Sequence, residues 1–181
     1  MPPTPPFDEN VAHRWFAIKL NNQAWDLLEK RDLSAVEQQQ LVHMAHASCF
    51  HWMQVGNIVN QGRALCLVAN AEAAYGDPGS AMEYAQSCLD AVYSQSLYRD
   101  SEQAADWDIA FAHDARARAY AAVWREEMAR SVPDQKLAQQ LFLEAQEQRT
   151  KAGELGQAIA GAEEQKMFQQ WFASGSWHDI T

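Results

Sequence analysis

The stretch LCLVANAEAAYGDPGSAMEYAQSCL, residues 65–89, decides the architecture. Leu65, Val68 and Ala69 recur at helical spacing before Gly76-Asp77-Pro78-Gly79, and Ala81, Ala85, Cys88 and Leu89 recur after it. Gly and Pro together break a helix, because one removes the side chain that limits φ and the other removes the backbone donor. The spacing therefore predicts one helix over 58–75 and another over 80–97. A connection this short forces the two to pack as an antiparallel hairpin.

Outward from this hairpin the same pattern repeats. A helix is expected from Asp8, whose carboxylate can cap it, to about Arg31, with Val11, Trp15, Ile18, Ala24 or Trp25, and Leu28 as its apolar stripe. Ser34 followed by Glu37 is a capping-box pattern opening a second helix that Gly56 ends. Beyond the central hairpin, Asp100 or Ser101 can cap a long fifth helix to about Arg130. Pro133 interrupts, and a sixth runs from about Asp134 to Lys151, its end loosened by Gly153 and Gly156. Ile159, Met167, Phe168, Trp171 and Phe172 make a last amphipathic segment over the end of the stack. The expected fold is all-α with about seven helices. Residues 1–7, with four prolines, form an N-terminal tail, 8–173 form one domain, and 174–181 form a C-terminal tail.

Composition agrees. The chain has 181 residues, with Ala at 31 and Gln at 18 against Val at 9, Ile at 5 and Thr at 3, so helix formers outweigh β-branched residues. A formal charge of -10 disfavours a surface that neutralises phosphates, which argues against nucleic acid. No stretch approaches the roughly 20 apolar residues of a membrane span, and the N-terminus lacks the basic and apolar regions of a leader. Cys49, Cys66 and Cys88 sit in Ala-rich apolar surroundings and read as reduced core thiols, which fits a cytoplasmic location.

The central hairpin resembles one tetratricopeptide repeat, the helix-turn-helix unit of about 34 residues. The resemblance rests on Leu65, Val68 and Ala69, then Tyr75-Gly76-Asp77, then Ala81, Ala85, Cys88 and Leu89. Glu72 and Ala85 stand where the repeat usually carries aromatics. A fainter echo is Ala110-Phe111-Ala112 followed by Ala117 and Tyr120. The resemblance implies antiparallel hairpins stacked as a short right-handed array, and a protein or peptide partner held in its concave groove. In the matched repeat that groove would carry Arg63 and Asn70, the latter where the family often uses Asn to bond a peptide backbone. Asn22 from the first helix, with Asp114 and Arg118 from the fifth, would continue it. Arg63 also stands out in the residues themselves, as the only Lys or Arg between Asp32 and Tyr98. It can equally pair with Glu72, Asp106 or Asp108, and Asn70 can satisfy a neighbouring backbone group.

Two further readings compete. His113-Asp114 is reminiscent of metal-dependent phosphohydrolases of the His-Asp superfamily, which would need His46 or His51 and Asp134 to converge with it. No histidine has a glutamate three residues before it, as a di-iron bundle would, and His46 lies on the apolar stripe Val42, Ala45, Cys49, Trp52 and Met53. Neither a phosphate loop nor a nucleophile elbow occurs, so no cofactor and no catalytic residue are assigned. Alternatively, Phe168, Trp171, Phe172 and Trp177 can form an exposed patch through which the chain makes a structural homodimer. The expected function is a non-catalytic binding or scaffolding module.

Overall fold

Helix boundaries follow the available caps. In the computed structural model, which describes residues 6–94, 104–174, 177 and 180, the described residues form seven helices and no strand. These are α1 (Glu9–Leu28), α2 (Ala35–Val55), α3 (Ile58–Tyr75), α4 (Pro78–Ser94), α5 (Asp106–Met128), α6 (Gln135–Gln157) and α7 (Ala162–Ala173). The Asp8 carboxylate accepts from the amides of Asn10 and Val11 at the start of α1. Ser34 and Glu37 form the expected capping box at α2, and Asn57 and Asn60 form another at α3.

Ser34→Ala removes one acceptor at the α2 N-terminus and is expected to lower stability by about 1 kcal/mol, measured by urea unfolding. Glu37 is also held by Lys30, and these contacts push its carboxyl down from 4.5 to about 2, with Lys30 the largest cause. A carboxylate depressed in the folded state stabilises above its unfolded pKa, so this contribution is present at neutral pH. It fades as pH falls from about 4.5 towards 2.

Three boundaries differ from the sequence expectation. α4 begins at Pro78 rather than Ser80, because a proline at the first helical position lacks only an amide that would have no helical partner. Asp77 caps this helix by accepting from the Ser80 amide. The expected extension to Leu97, and the expected caps Asp100 and Ser101, lie outside the described residues. α5 itself begins at Asp106, where the Asp108 carboxylate accepts from the Ala105 amide. α6 continues through Gly153 and Gly156 to Gln157, so these glycines do not loosen its end.

The helices pack as hairpins α1/α2, α3/α4 and α5/α6, with α2 on α3 and α4 on α5. α3 also touches both α1 and α5, so the odd-numbered helices lie side by side as one layer. α7 packs against α5 and α6. Small side chains make the close approach possible: Ala64, Ala69, Ala71 and Ala73 of α3 and Ala110, Ala112, Ala115 and Ala119 of α5 are all buried. No helix among the described residues is long and apolar enough to cross a membrane.

Both ends of the chain depart from expectation. Val11, Trp15 and Ile18 remain 66%, 53% and 45% exposed, whereas Ala24 of the expected stripe is buried, together with Ala17. Positions 11, 15 and 18 lie on a different face from 17 and 24, and the latter two are the ones fully buried. At the other end, Phe168 and Trp171 are buried and Phe172 is half-buried, so the expected docking patch for a second copy is covered by the chain's own packing. The expected C-terminal tail is likewise anchored at its described positions. Ile180 is fully buried against Ala121 and Ala145, and its carbonyl accepts from Arg149 at 2.6 Å.

Candidate functional site

Arg63 projects from α3 towards α5. Its Nε and Nη2 donate to the two Asp108 carboxylate oxygens at 2.8 and 2.9 Å, a side-on fork that fits the planar guanidinium. The guanidinium carbon lies 4.2 Å from the centre of the Trp107 ring. Of the three partners open to Arg63 in the sequence, Asp108 is the one it takes. Asp108 is in turn fixed by the α5 N-terminus, through the Ala105 amide.

This pair stands in the wall of a cavity of about 630 Å³. Trp25 of α1 and Trp171 of α7 meet edge to face at 5.0 Å beside it, and Trp107 and Phe111 of α5 also line it, Phe111 meeting Trp25 edge to face at 6.2 Å. Val59 and Cys66 line it from α3, and Cys88 and Val92 from α4. Asn21, Glu29, Met167 and Gln170 also border it. Burial pushes the Cys49 thiol up to about 11, and the neighbouring Cys88 thiol together with burial holds Cys66 well above the ordinary range. Both stay protonated at neutral pH and act as apolar packing groups.

The other expected groove residues are placed differently. Asn22 is exposed on α1, where its side-chain oxygen accepts from Asn21, and only Asn21 reaches the cavity. Asn70 is buried, with Nδ2 donating to the Cys66 carbonyl at 2.9 Å, and its Oδ1 has no hydrogen-bond partner among the described residues. Asn70 and Arg118 line a smaller cavity of about 290 Å³ that Trp171 also borders. Asp114 is fully buried and pairs with Arg118 at 2.7 Å one helical turn on. The Trp171 indole N–H donates to Asp114 at 2.7 Å, and Arg118 donates to the carbonyls of Trp171 and Ser174 at 3.2 Å. Asp114 and Arg118 therefore hold the end of α7, and Trp171 borders both cavities.

The residues of the metal alternative do not converge. His46 bonds Glu72 beside the Tyr84 ring, whereas His113 bonds the Tyr93 hydroxyl and Gln148. Asp114 is committed to Arg118 and Trp171, His51 faces His13 at 2.8 Å, and Asp134 caps α6. Burial lowers the His113 pKa, which favours its neutral hydrogen-bonded form. No group of three or more His, Cys, Asp or Glu side chains among the described residues could hold a metal ion.

Helical spacing marks Trp25, Trp107 and Trp171 as packing residues and assigns none of them to a site. Their periodicity identifies a half-buried face, but the cavity of about 630 Å³ forms where α7 brings Trp171 against Trp25 of α1. Comparison with family models, with curated proteins and with solved structures finds no match for this chain.

Proposed function

We propose that the chain is a non-catalytic binding module, a tetratricopeptide-like array of three hairpins whose ligand enters the layer formed by α1, α3 and α5. The observation that carries this reading is the cavity of about 630 Å³. It falls within the roughly 300–1,000 Å³ of small-ligand sites, and it has their chemistry of mostly apolar walls with a few fixed polar groups. Of the anchors expected from the sequence, Arg63 is the one that borders this space, and Trp25, Trp107 and Trp171 supply the apolar contact. The order of hairpin contacts, and the side-by-side odd helices, support the repeat-like arrangement.

Filling the cavity tests the reading. Val92 is 6% exposed at the α4 end of the cavity, and Met167 is 46% exposed at its border on α7. Val92→Phe and Met167→Trp are each expected to weaken 1-anilinonaphthalene-8-sulfonate binding by at least tenfold in a fluorescence titration, with little change in Tm. Unchanged dye affinity in both variants would remove the cavity as the binding site.

A further inference from the structure

We infer that the cavity is a site for a small monocarboxylic acid with an apolar body, its carboxylate seated on the free edge of Arg63. This rests on the cavity being the binding site. A guanidinium offers two edges, each with a pair of parallel N–H groups. Asp108 takes the edge formed by Nε and Nη2, and Nη1 makes no hydrogen bond among the described residues. The edge formed by Nη1 and the second Nη2 hydrogen therefore remains for a second planar acceptor. The Arg63 side chain is 40% exposed, so this edge is reachable, and Asp108 with the Trp107 ring fixes its plane before any ligand arrives.

The surroundings select against other head groups and larger occupants. Asp108 already accepts from Arg63 and from the Ala105 amide, and it is 5% exposed, which leaves an amine little to bind in the wall. Glu29, the other carboxylate on the cavity, is exposed to solvent and screened. An inserted peptide segment would carry several N–H and C=O groups past the indoles, where few polar partners exist to satisfy them. A free acid has one polar end, which matches one free fork. Its body would lie among Trp25, Trp107, Trp171 and Phe111, with Val92 beyond them.

The test compares decanoate with 1-decanol by calorimetry on the full chain, which holds the apolar body constant and changes only the head group. One site is expected, with decanoate at least fivefold tighter than the alcohol. In Arg63→Gln/Asp108→Asn, where two amides replace the ion pair, this preference disappears while decanol affinity stays. If the double variant does not fold, Arg63→Lys retains the charge and is expected to lose most of the preference, because a point charge cannot replace the fork. Equal affinities of acid and alcohol for the wild type, or a preference that survives in the Arg63 variants, would overturn the carboxylate assignment and leave the cavity standing. Absence of binding by either compound, or indifference of both to Val92→Phe, would overturn the cavity reading itself. Tighter binding of acetyl-Leu-Leu-Trp with a free C-terminus than of decanoate would assign the carboxylate to a peptide and overturn the small-acid inference.

Discussion

Asp114→Ala is expected to destabilise the protein by about 3–5 kcal/mol, because it removes the carboxylate from a buried ion pair. Arg118 is 3% exposed, and Asp114 pairs with it at 2.7 Å. The same substitution strands the Trp171 indole N–H, which donates to Asp114 Oδ2 at 2.7 Å. The indole loss falls directly on α7, and Arg118, which also donates to the Trp171 and Ser174 carbonyls, is loosened at the same point, so hydrogen exchange over 162–173 should accelerate more than exchange over α1 to α4. Asp114→Asn keeps an acceptor for either Arg118 or Trp171, though not the charge, and is expected to cost less than alanine. Urea unfolding of the two variants measures the difference. A loss below about 1 kcal/mol for Asp114→Ala would mean that the pair adds little beyond what water supplies.

Gly156→Ala is expected to destabilise by roughly 2–3 kcal/mol, although helix propensity alone predicts a gain of about 1 kcal/mol. Packing decides the sign here. A Cβ at Gly156 would collide with the Phe168 ring, and Phe168 is 1% exposed within the main core cluster with Phe111 and Trp171. The ring has nowhere to move without lifting α7. Gly153, one turn earlier on α6, is the internal control. A Cβ there meets the Phe172 ring at 3.5 Å, an ordinary contact, so Gly153→Ala is expected to stabilise by about 0.5–1 kcal/mol. Opposite signs at two glycines three residues apart would establish that α7 docks through Gly156. Stabilisation at both would place α7 off the α6 surface.

Much of the helical layout is legible in the sequence alone. The breaker at 76–79, the Ser34 and Glu37 box and the aspartates at 8 and 134 each act within one helical turn, so the helices they delimit follow from local chemistry. Proline and glycine are harder to read, since Pro78 and Gly156 break a helix or serve it according to what surrounds them. The sites are harder still. Asp114 and Arg118 hold α7 of the same chain, and a partner 57 residues away leaves no mark on helical spacing.

By itself the sequence determined the all-α class, the seven helices and the isolation of Arg63, because caps, breakers and apolar period act over a few residues. Tertiary structure decided that Arg63 pairs with Asp108, that Val11, Trp15 and Ile18 stay exposed, and that three indoles surround a cavity. Those outcomes depend on which helix lies against which, a choice made by packing between residues far apart in the chain.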